Sequence, residues 1–370
     1  MAVYTTIDNP ELYFQCQLYT GNGSDNRAVT LDGDENMQPD FLWIKNREAT
    51  FAHALFDSVR GSSKMLVSSS SDAEQTNPSS GGLTSFDSDG FTTDAGSGSN
   101  PYRNTNESGD GYVAWCWKAG TSFTNDASAT SVGNTDSNGS ASSIAGFSIS
   151  KYVGAGSSTD IEVKHGLSVK PAVMLVKNIE EAGGNSWAVY HHKNTSAPET
   201  DYLRLDTTNA TTDNADIWND TEPTSAVFTA GDHSGSNRSG DDFISYHWNE
   251  VQGYSKFGKY TGNGNADSTF VYTGFRPAWV MIKRTTASSY NWMIFDNKRN
   301  TFNVIDDRLR ANTNDAEQTG SSTHILDFVS NGFKIRSSNS AIGGGDDPYI
   351  YMAFAEAPFV NSNGVPCNAR

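Results

Sequence analysis

Tyr19-Thr20-Gly21-Asn22-Gly23 returns almost letter for letter at Tyr260-Thr261-Gly262-Asn263-Gly264, and a looser copy, Tyr152-Val153-Gly154-Ala155-Gly156, lies between them. Recurrence at this spacing marks a three-fold internal repeat. Downstream of each tyrosine an apolar run ends in lysine: Phe41-Leu42-Trp43-Ile44-Lys45, Val173-Met174-Leu175-Val176-Lys177 and Trp279-Val280-Met281-Ile282-Lys283. A proline stands shortly before each, at Pro39, Pro171 and Pro277. A second alternating segment follows, His53-Ala54-Leu55-Phe56-Asp57, Trp187-Ala188-Val189-Tyr190-His191 and Trp292-Met293-Ile294-Phe295-Asp296, with Arg60 and Arg299 just beyond it in the outer copies. Each copy closes on an aromatic alternating strand about 90 residues after its tyrosine, at Tyr112-Val113-Ala114-Trp115, Phe243-Ile244-Ser245-Tyr246 and Tyr349-Ile350-Tyr351-Met352.

Short runs rich in Val, Ile, Tyr, Phe and Trp, cut by Gly, Asn, Asp and Ser, read as strands joined by turns. Asn22-Gly23, Asp89-Gly90, Asn138-Gly139, Asn263-Gly264 and Asn331-Gly332 supply positive-φ turn residues. No long window carries a helical stripe. The expected class is all-β, as three tandem jelly-roll-like β-sandwich repeats behind a short N-terminal arm, because a repeat of this length must cover one apolar sheet face with another. A propeller is the competing repeat, but its blades run to about 40–50 residues. The expected division is an arm over 1–18, repeat 1 over 19–118, a Ser/Gly/Asn-rich linker over 119–146, repeat 2 over 147–249, and repeat 3 with a C-terminal tail over 250–370. The aromatic-bearing join between repeats 2 and 3 predicts that these two dock, with repeat 1 hinged or held by other subunits.

Hydrophobic residues are only 36% of the chain, so the 11% that are aromatic must supply much of the buried area. A net charge of −17 argues against a nucleic-acid partner, which draws on clustered Lys and Arg. The N-terminus lacks the basic and apolar regions of a signal peptide, and no apolar run is long enough to span a bilayer, so no membrane insertion is expected. Cys16, Cys116 and Cys367 lack zinc-site spacing and read as free thiols.

Few residues suggest chemistry. His191-His192 near Asp206 would suit a metal or proton shuttle, but the outer copies put Phe and Asp in place of the histidine pair. Asp57 with Arg60 and Asp296 with Arg299 fit structural ion pairs, since an adjacent arginine weakens a carboxylate as a base. Glu74 and Glu317 recur in separate repeats, whereas a glycosidase needs two opposed carboxylates close together. Asp32-Gly33-Asp34-Glu35-Asn36 resembles the first half of a Ca²⁺ loop, yet Met37 and Trp43 stand where an EF-hand needs glycine and a bidentate acid. Asp32, Asp34, Asp241, Asp242, Asp346 and Asp347 remain candidates for irregular Ca²⁺ loops, and no other cofactor is expected. Trp218 and Trp248 are candidates to stack on a glycan ring; Trp187 and Trp292 sit at repeated strand positions and read as core.

The opening Tyr4-Thr5-Thr6-Ile7-Asp8-Asn9-Pro10, with Pro39-Asp40-Phe41-Leu42-Trp43-Ile44-Lys45-Asn46-Arg47, Tyr112-Val113-Ala114-Trp115-Cys116-Trp117-Lys118-Ala119-Gly120 and Gly364-Val365-Pro366-Cys367-Asn368-Ala369-Arg370, resembles a family of virion proteins of tailed bacteriophages, found mostly in marine phages and cyanophages. The resemblance covers nearly the whole chain and brings no catalytic residues. It implies a non-enzymatic virion protein made in the host cytoplasm, a tail-fibre or tail-appendage component that forms homo-oligomers, contacts other virion subunits and attaches to a host-surface glycan or protein. A capsid decoration or head fibre is the alternative within that class, and a polysaccharide depolymerase the alternative outside it.

Overall fold

The computed structural model describes residues 4–96, 98, 103–156, 160–181 and 185–368. Residues 1–3 of the expected arm, 369–370 of the tail and parts of the loop between Gly96 and Gly111 lie outside the described residues. The chain is all-β, built of antiparallel sheets. Its described α-helices are single turns of four residues.

Three main sheets share one strand order. An opening strand (Phe14–Thr20, Phe147–Val153, Ser255–Thr261) pairs with a closing strand (Gly111–Trp117, Asp242–Trp248, Pro348–Pro358). The closing strand pairs with a lysine strand (Phe41–Asn46, Val173–Asn178, Phe275–Arg284), and that with a fourth strand (Ala54–Asp57, Ala188–His191, Met293–Asp296). The register is also shared: Tyr19 lies opposite Tyr112, Tyr152 opposite Phe243, and Tyr260 opposite Tyr349. The two rings of each pair stack, with centroids 5.1, 5.2 and 4.9 Å apart.

The Tyr-x-Gly-x-Gly segment ends each opening strand in one local structure. The three tyrosine hydroxyls donate to the carbonyls of Thr105, Ser236 and Ile342 at 2.7, 2.7 and 2.6 Å. At the first glycine the chain passes so close to the loop that leads into the closing strand that a Cβ at Gly21 would fall on the Glu107 carbonyl, and one at Gly154 on that of Arg238. The second glycine has φ of +65°, +87° and +70° at Gly23, Gly156 and Gly264, a region costly for residues with a Cβ. Backbone geometry therefore dictates this motif.

Each main sheet is covered on one face by a small sheet. These comprise Arg27–Thr30, Gly90–Asp94 and Gly82–Asp87 in the first case, Ile161–Lys164 with Val227–Ala230 in the second, and Phe270–Tyr272, Gly332–Ile335 and Leu326–Val329 in the third. Separate apolar cores fill these spaces, around Phe56 and Phe91, Tyr190 and Phe228, and Phe295 and Phe333. The opposite faces of all three main sheets converge on one central core that includes Trp43, Trp115, Trp117, Leu175, Tyr246, Trp248, Trp279 and Phe354. Trp117 packs edge-on to both Trp279, at 5.8 Å, and Trp248, at 6.3 Å. With a core on each side, the lysine strands Phe41–Asn46 and Val173–Asn178 are buried at every position, which is why they read as continuous apolar runs and not as alternation.

The structure differs from the sequence reading at three places. Residues 119–146 do not form a linker: Thr121–Asn125 and Ser137–Ser142 make a hairpin that extends the second main sheet beyond its opening strand. Backbone pairing orders this segment without large side chains, and buried Ala119 and Ala145 anchor its ends in the central core. The opening strand of the first sheet begins at Phe14, inside the expected arm, and residues before it lie on the third sheet's side of the molecule. There Thr5 Oγ1 donates to Gln252 O at 2.8 Å, Phe14 stacks on Phe354 at 5.0 Å, and Ser362 N donates to Asp8 Oδ1 at 2.6 Å. The first sheet is not hinged, because its tryptophans form part of the shared core.

Candidate functional site

The residues that recur between the sheets meet at the seams between them. From the first sheet to the second, Tyr246 OH donates to Asp57 Oδ2 at 2.7 Å, Trp187 Nε1 to Val67 O at 2.9 Å, and Glu74 N to Ile179 O at 2.8 Å. From the second to the third, His191 Nε2 donates to Tyr351 O at 3.1 Å, Trp292 Nε1 to Arg204 O at 2.9 Å, and Thr211 N to Thr285 O at 2.8 Å. From the third back to the first, Trp115 Nε1 donates to Asp296 Oδ2 at 3.1 Å, His53 Nε2 to Arg310 O at 3.0 Å, and Glu317 N to Arg47 O at 2.8 Å. Each seam is head-to-tail, and the third returns to the first sheet, the geometry of a closed ring.

The three lysines are buried beside these seams. Lys45, Lys177 and Lys283 each donate to a local carbonyl at 2.7 Å, those of Asn46, Asn178 and Tyr290. Lys177 and Lys283 also reach Ser71 O and Thr208 O on the preceding unit, each at 3.2 Å. Burial pushes all three down to about 8; Asp315 and Glu317 partly offset it at Lys45, and Asp206 and Asp72 at Lys177.

The repeated carboxylates are engaged with arginines. Asp57 pairs with Arg60 at 2.5 Å and Asp296 with Arg299 at 2.6 Å, all four side chains buried. Glu74 binds Arg60 and Lys64, and Glu317 binds Arg47 and Arg299. His191 and His192 do not join Asp206 in a site. Each histidine faces a backbone carbonyl of the third unit, and the Asp206 carboxylate accepts from Trp187 N at 3.2 Å.

The candidate glycan platforms Trp218 and Trp248 are 0% and 2% exposed, which removes their faces from any ligand. Trp218 donates to Asp201 O at 3.1 Å, and Trp248 stacks on Phe147 at 4.9 Å. A tryptophan in a Thr/Asn/Asp-rich stretch or at a strand end gives no signal that tells platform from core. The candidate calcium aspartates are dispersed. Asp32 pairs with Lys298 at 2.7 Å and Asp242 with Lys151 at 2.5 Å, Asp241 accepts from Asn178 Nδ2 at 2.7 Å, and Asp347 pairs with Arg284 at 2.5 Å. Asp34 and Asp346 lie in separate loops, Asp346 with φ +58°. Among the described residues no three His, Cys, Asp or Glu side chains gather as metal ligands. None of the described helices is long and apolar enough to cross a membrane.

The sequence reading missed an open groove on the outside of the second-to-third seam. One lobe, about 510 Å³, is lined by His192, Thr195, Lys256 and Tyr351, among others, and an adjoining lobe of about 360 Å³ by Tyr4, Gln252, Ser255 and Tyr272. Glu250 and Lys256, paired at 2.7 Å, line both.

No curated protein and no solved structure matches the chain. A family model described as "Domain of unknown function (DUF7483)" matches residues 9–358, a span that takes in all three main sheets. The chain belongs to that DUF7483 family.

Proposed function

We propose that this chain is a non-enzymatic structural protein of a bacteriophage virion, part of a tail fibre or another tail appendage, that assembles as a homo-oligomer with other virion subunits and presents loops to the host surface. One observation carries the reading: among the charged residues that recur between units, Asp57, Asp296, Lys177 and Lys283 bond across the seams, and together with Arg60, Arg299 and Lys45 their side chains are buried from substrate. A site for glycoside hydrolysis requires two facing carboxylates open to a sugar, whereas Glu74 and Glu317 are neutralised by basic side chains in separate units. The bacteriophage assignment comes from the sequence resemblance.

Gold-labelled antibody against the chain, applied to purified particles, tests the reading. Label on the tail or its fibres is expected. Label on the head would favour the capsid-decoration alternative, and particles free of the protein would overturn the virion assignment. Release of reducing ends from host polysaccharide by the purified protein would overturn the non-enzymatic part.

A further inference from the structure

The small sheet of the third unit has an edge strand, Phe270–Tyr272, that among the described residues pairs only with Gly332–Ile335. Its inward residue, Val271, is buried, while Phe270 and Tyr272 point outward and are 45% and 54% exposed. The fold does not require aromatics there. Val29 faces Phe91 as Val271 faces Phe333, so the matching strand of the first unit carries Ala28 and Thr30 in the places of Phe270 and Tyr272. Exposing rings on an unpaired edge brings no packing return and risks association, which makes such a patch a signature of binding.

Tyr272 is also held in place. Its hydroxyl lies 3.2 Å from that of Tyr4, which donates to Gly274 O at 2.8 Å. Gly274, at φ +84°, lets Tyr4 come this close, since a Cβ there would lie 2.7 Å from the Tyr4 hydroxyl oxygen. The ring forms one wall of the smaller lobe of the groove, whose other walls offer the Gln252 amide and the charged groups of Glu250 and Lys256. Among the described residues, the carboxylate and the ammonium of this lobe are paired with each other, which balances their charges. A fixed ring beside an amide and a mutually compensated ion pair suits a ligand with an apolar face and hydroxyl edges.

We propose that the Tyr272 groove binds an uncharged saccharide of a host-surface polysaccharide, with one sugar ring against Tyr272 and its hydroxyls bonded to Gln252 and the Glu250–Lys256 pair, the chain continuing toward His192. The proposal rests on the attachment reading and adds the place and the ligand class. The test applies the full-length protein to an array of neutral oligosaccharides, with saturation-transfer NMR on the sugars that score. Tyr272→Thr, which installs the first unit's residue, and Gln252→Ala are measured alongside, with thermal melts to verify folding. Binding by the native protein that weakens at least tenfold in Tyr272→Thr, at an unchanged melting temperature, is the expected result. Equal binding by native protein and Tyr272→Thr would overturn the groove while leaving attachment intact. Binding to no sugar, or only to peptides or charged glycans, would overturn the saccharide assignment, and the particle labelling decides separately whether the protein sits on an appendage.

Discussion

Asp296 shows how much one side chain does at a seam. Its Oδ2 accepts from Arg299 Nε at 2.6 Å and from Trp115 Nε1 of the first unit at 3.1 Å, and Oδ1 accepts from the Arg299 amide at 2.9 Å. All of this is buried, where removing one partner strands the other charge. Asp296→Ala should therefore cost about 3–5 kcal/mol, against about 1 kcal/mol or less for an exposed pair such as Lys170–Glu222. Urea denaturation of the two single variants measures this; a loss for Asp296→Ala no larger than for Lys170→Ala would contradict it. Asp57 plays the matching part toward Tyr246, while His191 meets the third unit as an uncharged donor. The ring of contacts is thus conserved in geometry and not in residue type.

The strands were legible in the sequence and the way they assemble was less so. Tyr19, Tyr152 and Tyr260 mark strand ends because their motif reports local geometry: a hydroxyl reaching a carbonyl, one glycine at a close approach and one at positive φ. The lysine strands were visible as apolar runs, but a run buried on both faces does not say what lies on each. The central core was consequently missed, and the first unit was read as hinged or held by other subunits although Trp115 and Trp117 join that core. The Thr121–Asn125 and Ser137–Ser142 hairpin lacks a strand-like composition, since it is held by main-chain bonds to a sheet edge. Composition reports side-chain burial and is silent on that. For the same reason Trp218 and Trp248 drew attention as platforms, while Tyr272, one residue in a short edge strand, did not. Its exposure becomes meaningful only beside Thr30 in the equivalent strand.

The whole molecule carries a pH signature. His53, His165 and His191 are held in one pattern: Nδ1 accepts from Trp43 Nε1, Leu167 N and Lys193 N, and Nε2 faces the carbonyls of Arg310, Thr224 and Tyr351. The neutral ring satisfies both contacts, and protonation would set one N–H against another. Burial pushes His165 down to about 4, His191 to about 3, and His53 and His247 well below 6.5. Below pH 6.5 the unfolded chain takes up protons that the native chain refuses, so stability falls with pH, each ring adding up to about 1.4 kcal/mol per pH unit. The lysines act at the other end. With native values near 8 against 10.5, their cost to the fold shrinks as pH rises between those limits. Urea midpoints should drop clearly from pH 7 to pH 5, and an unchanged midpoint would refute the buried neutral histidines.

Three sheets that share one tryptophan-rich core and are sealed head-to-tail at each seam have no separable part to melt first. Scanning calorimetry of the full chain, with tryptophan emission followed through the same ramp, tests this most directly. A single transition is predicted, with equal calorimetric and van't Hoff enthalpies and the emission shift at the same temperature. Two or three resolved transitions, or an emission change confined to one of them, would contradict it.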